Sequence, residues 1–247
     1  MEHAHSILYG PVNHLLNALF GAAPERYQQL FGTEHGHWLP DHVIMAILAV
    51  VVIALFLIPI SRSLSVNRPG KGQQMLELLL SGLQDLAEEV IGHGWGARFT
   101  PFILGLAVFI FTCNIFGIFY FLQPPTQVTS TTFALSITAF LFYNWVGLRK
   151  NGPFGYLKHF MGPVIFLAPL MFVIEIISHL ARILSLALRL FGNISGEHTA
   201  TGIFIGMFPF VLPWPMMSLG IFGSLLQAFI FIMLTMAYLN GAVSEEH

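Results

Sequence analysis

Six side chains able to carry charge or hydrogen bonds recur through one of the most apolar stretches of this 247-residue chain. Between Pro163 and Phe210 the sequence otherwise reads as membrane helix. Yet Glu175, His179, Arg182, Arg189, Asn193 and Glu197 follow one another there at steps of four, three, seven, four and four. On an α-helix those steps hold all six near one face, with a drift of about 20° every seven residues. A bilayer makes each charge costly, roughly 2.5–3.5 kcal/mol for an Arg at a helix centre on insertion scales. A face loaded in this way must lie against something aqueous or charged.

Arg189 is the centre of the pattern, in Leu186-Ala-Leu-Arg-Leu-Phe-Gly-Asn193. A guanidinium keeps its proton under essentially all conditions, so it relays protons poorly. It can instead hold a fixed positive charge that makes a passing carboxylic acid ionise. The alternative, an Arg snorkelling to headgroups or paired with an internal acid, sits badly with the apolar turns on both sides. Glu197 and His198 are adjacent and both titrate, His near neutrality. They read either as a proton relay in a water-filled half-channel or as a polar break where the helix bends near Gly192, Gly196 and Gly202. Glu175, His179 and Arg182 either line aqueous access or form an internal salt-bridge set near the cytoplasmic interface, and Arg182 alone would also suit snorkelling. Ser185 lies one turn before Arg189 and belongs with Arg182 to the supporting, interface-facing positions.

The last apolar block carries a matching face: Gly220, Ser224, Gln227, Thr235 and Tyr238, with Phe231 between them. Ser224 and Tyr238 are supporting positions. Gln227 is the buried polar group of interest, bonded either to the preceding helix or to backbone. Asn114, in Thr112-Cys-Asn-Ile, lines an outer aqueous path or bonds a neighbouring helix. Six of the eleven histidines (His3, His5, His14, His35, His37 and His42) precede Val43 without a tight ligand spacing. A solvated tail is the expectation there rather than a metal site. The chain has no phosphate-binding loop, serine elbow, zinc-protease helix or dinucleotide fingerprint. Neither metal, cofactor nor covalent catalysis is therefore expected.

The elements that must position these residues are helical and membrane-embedded. The chain is 55% hydrophobic and only 9% charged, with 24 Phe against 6 Tyr and 4 Trp, where a soluble domain carries about 25% charge. Mean hydropathy is +0.75. A net charge of −2 gives no reason to expect nucleic acid, and the lone Cys113 excludes a disulfide. Met1 to Pro40 does not read as a cleavable signal. The predicted fold class is an all-α integral membrane protein with an extracytoplasmic segment over 1–41 and one membrane domain over 42–247. Membrane helices are expected over 42–60, 99–122, 131–148, 163–208 and 214–240, the last two long and tilted as a hairpin. Over 74–92, Met75, Leu76, Leu79, Leu80, Leu83 and Leu86 alternate with acidic and amide residues, the pattern of an amphipathic interfacial helix. The fourth block, if fully helical, would be about 70 Å long against a hydrocarbon core of about 30 Å, so it must tilt steeply or approach along the interface.

Basic residues set the orientation. Arg62, Arg68 and Lys71 follow the first span and Arg149, Lys150 and Lys158 the third, whereas Asn114 to Thr132 carries no charge. The positive-inside rule places both basic loops in the cytoplasm. The N-terminus is then outside and Ser244–His247 inside, with Pro209–Pro215 as an outer turn.

Leu184-Ser-Leu-Ala-Leu-Arg-Leu-Phe-Gly-Asn193 resembles the signature of subunit a of F-type ATP synthases. So does Leu226-Gln-Ala-Phe-Ile-Phe-Ile-Met-Leu-Thr-Met-Ala-Tyr-Leu239 with the ending Ser244-Glu-Glu-His247. The 38-residue spacing from Arg189 to Gln227 also agrees, while the first 40 residues match only loosely. The resemblance implies a non-catalytic stator subunit in a bacterial inner membrane, its two long tilted helices against a ring of c subunits. It further implies b-type peripheral stalk subunits and the rest of the ATP synthase as partners. Two offset aqueous half-channels would load and unload a carboxylate on each c subunit, with Arg189 separating them. Asn193 and Gln227 match polar partners of that arginine, Glu175 an acid in the family's fourth block, and Asn114 an amide in its second span. There are departures. Nine positions after the arginine the ionisable group is His198, Glu197 occupies a place that is often small, and Gly220 stands seven before the glutamine where an ionisable group is common. Glu197 and His198 would then supply both groups from one helix. Two other readings are a secondary transporter, which predicts inverted repeats that the first three blocks do not show, and a membrane scaffold, which leaves the cost of Arg189 unexplained.

Overall fold

The computed structural model describes residues 6–25, 27–28, 33, 36–66, 68–119, 122–161, 168–207 and 213–243, with backbone only for 153–161 and 213. Among the described residues there are seven α-helices and no strand: α1 (Tyr9–Phe20), α2 (Asp41–Arg62), α3 (Lys71–Ile91), α4 (Gly96–Phe116), α5 (Thr129–Met161), α6 (Ala168–Met207) and α7 (Pro213–Val243), with a 3-10 turn at Pro125–Gln127. Five of them, α2 and α4 to α7, are long and apolar enough to cross a membrane. The expected residues 163–167, 208–212 and 244–247 lie outside the described residues, as do His3, His5 and His35 and the side chain of Lys158. The C-terminal placement and most of the Pro209–Pro215 turn therefore rest on sequence alone.

Composition explains which helices span. The α2 stretch is almost wholly apolar, and it leaves Leu55, Phe56 and Ile58 exposed, the surface that a lipid-facing helix requires. The helix α3 is different in kind. It begins after extended Gly70, and its apolar Met75, Leu78 and Leu79 stay exposed, as suits a helix lying along the interface. Its start is fixed by the Gln73 amide, which accepts from Ser65 N–H at 3.0 Å and donates to Ser65 C=O at 3.2 Å. Its end closes tightly on α4: a methyl group at Gly96 would come within 2.6 Å of the Glu88 Cα. That position has room only for glycine.

The chain forms two compact units, one of Met1–Arg62, Val108–Thr131 and Phe191–Gln227, the other of Ser63–Ala107, Thr132–Leu190 and Ala228–His247. In the first, Met45 and Ala49 of α2 pack on Cys113 and Phe116 of α4, with Leu8, Val52 and Phe109 around them. Close packing of this kind, rather than hydrophobic exclusion of water, holds helices together in lipid. In the second, Phe142 of α5 stacks on Phe102 of α4, centroids 3.7 Å apart, and meets Phe99 edge-on at 5.9 Å.

Two features differ from the sequence reading. The helix expected over 131–148 runs on to Met161 through a kink at Gly152, whose φ of 69° suits glycine alone. Just before that kink, Lys150 Nζ and the Asn151 amide donate to the carbonyls of Val243 and Ala242, satisfying the otherwise orphaned end of α7. The His-rich start is not a solvated tail throughout. Its helix α1 is tied down by Asn13, whose Oδ1 accepts from the Trp38 and Leu39 N–H groups at 2.9 and 3.0 Å and whose amide donates to Leu39 C=O at 3.0 Å. Ser6 adds a bond from its N–H to Asp41 Oδ2 at 2.7 Å. His37 packs edge-on against Tyr9 and His42 lies 3.4 Å from Ser130 Oγ. The reason is a buried amide with three partners, which apolar periodicity cannot signal. Asn13→Ala is expected to loosen this segment by about 1–3 kcal/mol through the stranded partners. Limited proteolysis should then cut between 21 and 40 earlier than in wild type while the spans stay protected.

Candidate functional site

The 40-residue α6 carries the charged face. At about 1.5 Å per residue it is about 60 Å long, twice the hydrocarbon thickness, so it can cross only obliquely. The polar residues it shares with α7 fall into two sets, one in each unit.

The first set is built around Glu175. Its Oε1 lies 3.4 Å from His179 Nε2 and 3.7 Å from Arg182 Nη2. These are the one-turn and two-turn neighbours on a helix face. His179, only 8% exposed, shares a hydrogen bond of 2.8 Å with the Tyr143 hydroxyl through Nδ1 and stacks on that ring. Arg182 lies over the Tyr238 ring, 5.1 Å from its centroid, and Tyr238 also meets Tyr143 at 5.7 Å. His179 and Arg182 thus both lie within ion-pair distance of Glu175, a proximity compatible with either reading of the three. Tyr143 was missed by sequence reasoning. The available signal was a fully buried-type aromatic with a hydroxyl, followed by Asn144, in the middle of a span.

The second set lies where α6 and α7 meet in the other unit. Asn193 donates from Nδ2 to Gln227 Oε1 at 2.6 Å, and Gln227 is 2% exposed. The Gln227 amide therefore has its partner on the fourth span. One turn further along, the Glu197 carboxylate sits in the space that a side chain at Gly220 would fill: a methyl there would overlap Glu197 Oε1 and come within 3.1 Å of Cδ. Gly223 is the other neighbour, with Glu197 Oε2 at 3.4 Å from its would-be Cβ. Glycine at 220 is thus what lets a carboxylate from α6 reach the surface of α7. Ser224, on the same face, is fully buried, and among the described residues its hydroxyl has no hydrogen-bond partner. His198 is half-buried beside Glu197 in the chain. The Ser195 hydroxyl donates to Gln127 C=O at 3.4 Å, tying α6 to the 3-10 turn.

Two predicted residues stand apart. Asn114, 1% exposed, accepts at Oδ1 from the Thr126 hydroxyl at 2.8 Å, while its buried Nδ2 has no hydrogen-bond partner among the described residues. Arg189 is half-buried, with exposed Ser185 a turn before it. Among the described residues no hydrogen bond or ion pair reaches the Arg189 guanidinium. No group of three metal-binding side chains occurs among the described residues.

Membrane-length helices throughout, with a charged face on the longest, define a polytopic all-helical membrane protein. The chain belongs to the ATP synthase A chain family, whose profile matches residues 43–240. Among its relatives, the ATP synthase subunit a of Geotalea uraniireducens is 42% identical over 179 residues, 72% of this chain and 77% of that one. The subunit a of Geobacter sulfurreducens is 40% identical over 199 residues, 80% of this chain and 86% of that one. That of Bdellovibrio bacteriovorus is 44% identical over 173 residues, 70% and 75% respectively. Membership places the chain in the membrane sector of ATP synthase as the proton-channel subunit, with ATP chemistry carried by other subunits.

Gly220→Ala is expected to push the flexible end of Glu197 aside and to cost less than about 1 kcal/mol, measured as a small fall in melting temperature in detergent or bilayer. Glu197→Ala in the same chain should recover most of that loss, and a coupling energy of at least about 0.5 kcal/mol in the double-mutant cycle marks direct contact.

Proposed function

We propose that this subunit provides two offset aqueous half-channels which load and unload protons on the carboxylates of a c-subunit ring, with Arg189 holding the two apart. The observation that carries the reading is a half-buried guanidinium in a membrane helix for which no described residue supplies a counter-charge. Such a cation needs an anion from elsewhere. A protonated carboxylic acid passes through lipid at low cost, but against a fixed positive charge its ionised form is favoured. Arg189 therefore makes each passing carboxylate give up its proton, and it blocks a proton, itself a cation, from leaking straight across. The exposed faces of Ser185, Gly192 and Gly196 flank the arginine on α6, and small residues there allow a partner helix to come close.

The two polar sets take the two sides of this charge along α6. By helix rise, Glu197 lies about 12 Å beyond Arg189 and Glu175 about 21 Å before it. Glu197 and His198 form the relay of one half-channel, and Gly220 gives that carboxylate its place against α7. Asn193, one turn after the arginine in sequence, orients the exchanging group together with its partner Gln227, and Ser224 supports them. Asn114 belongs to the same path. Glu175 and His179 serve the other half-channel, steadied by Arg182 and Tyr238. The chain sits in a bacterial inner membrane with the N-terminus outside and the basic loops inside, docked to b-type peripheral stalk subunits as well as the ring. Family membership and the basic loops support that placement.

Arg189→Ala in the assembled complex is expected to abolish ATP-driven acidification of vesicles, with ATPase subunits still bound. After the soluble head is stripped away, passive proton leak should be unchanged or raised. Normal pumping by the variant would overturn the role of Arg189. Asn193→Ala and Gln227→Ala should slow pumping by roughly tenfold or less, the scale of one lost hydrogen bond to a charged or transition-state group, measured as the initial acidification rate.

A further inference from the structure

A cleft of about 250 Å³ opens where α4 begins and α5 ends its membrane span, lined by Trp95, Arg98, Phe99, Trp145, Val146, Arg149 and Lys150. Arg98 and Arg149 in so small a space repel one another unless an anion joins them. Each cation is held by an aromatic face: Arg98 lies 5.7 Å and Lys150 5.5 Å from the Trp95 centroid, and Arg149 5.2 Å from that of Trp145. Stacking occupies the flat face of a guanidinium and leaves its edge N–H groups to bind a planar or tetrahedral oxyanion. Among the described residues neither Arg98 nor Arg149 forms a hydrogen bond or ion pair. Lys150 already donates to the Val243 carbonyl, so it contributes charge more than donors. The proton path described above uses none of these residues.

The position narrows the anion. Both helices are membrane spans, and the cleft lies at their ends, at headgroup level, where tryptophans with one apolar and one wet edge settle. Below the cations, Phe99 and Val146 are buried and offer an apolar floor. We propose that this cleft binds the phosphodiester of an anionic phospholipid, with the Arg98 and Arg149 edges on the phosphate and the upper acyl chain over Phe99 and Val146. Two arginines near the bilayer surface favour an anionic over a zwitterionic lipid by roughly tenfold or more. A bound lipid would lock the α4 start to the end of α5, the same end that caps α7 through Lys150 and Asn151.

The test uses the full chain with Trp38→Phe and Trp214→Phe, which leaves the two cleft tryptophans as the only reporters. Reconstituted in phosphatidylcholine, it is titrated with phosphatidylglycerol brominated near the headgroup, or with equally brominated phosphatidylcholine. The expected result is saturable quenching by the anionic lipid at roughly a tenth of the mole fraction the zwitterionic lipid needs. Arg98→Gln/Arg149→Gln should remove this preference, and Arg62→Gln/Arg68→Gln, which lowers charge elsewhere, should keep it. Either single arginine variant should lose part of it, which keeps the proposal testable if the double variant fails to insert. Equal quenching by the two lipids, an undiminished preference in both single variants, or loss of preference with Arg62→Gln/Arg68→Gln would overturn it. Displacement of the lipid by millimolar inorganic phosphate would assign the cleft to a soluble anion and overturn it too.

Discussion

The cost of holding a guanidinium inside a bilayer without a counter-charge governs the rest of this molecule. Along α6, Glu175 has His179 and Arg182 in reach, and Arg182 rests on Tyr238. Arg189, between two apolar turns, has no such relief among the described residues. A surface arginine would simply bend its long stem to water, but one placed in mid-span has little reach to do so. Its stability must come from an anion or water brought by a neighbour. In a subunit of ATP synthase, that need bears on function rather than on assembly, which rests on packing.

That requirement shapes the surrounding helices. A helix of 40 residues carries polar groups on both sides of the arginine along one stretch of sequence. The second long helix supplies what α6 lacks. Gln227 takes the Asn193 amide, and Gly220 leaves room for the Glu197 carboxylate. In lipid an amide pair is worth little more than one in water, because the separated helices also find partners. The pair's value therefore lies in fixing rotation and register of α6 against α7 rather than in holding them together.

How far the sequence reveals this depends on the range of the physics involved. Spans are legible because hydropathy is a local property, and Arg189 stands out because an isolated charge in an apolar run has few innocent explanations. The amphipathic α3 is equally local, read from the spacing of Leu79, Leu83 and Leu86 against acids. Contacts between helices are another matter. Periodicity put Asn193 on the charged face of one helix and Gln227 on the polar face of the next without saying that they meet, and it could not point from Asn114 to the Thr126 hydroxyl twelve residues on. Tyr143 escaped notice since its hydroxyl gains meaning only from His179, 36 residues away. The N-terminal segment was misread for the same reason: Asn13 looks like any polar residue until the chain returns at Trp38 and Leu39 to bond it.

The pairing of Glu197 with Gly220 shows how a departure in sequence can be a compensation in space. Read along the chain, an acid has appeared where a small residue is common and a side chain has vanished 23 positions later, two unrelated oddities. In three dimensions the vanished side chain and the added one occupy the same volume. A side chain at 220 would push the flexible end of Glu197 aside and take the place its carboxylate now holds. What such a site preserves is the location of an ionisable oxygen on the α7 surface, whichever helix delivers it. A proton path needs oxygens and nitrogens at spacings that hydrogen bonds can bridge, and that constraint falls on positions in space before it falls on positions in the chain.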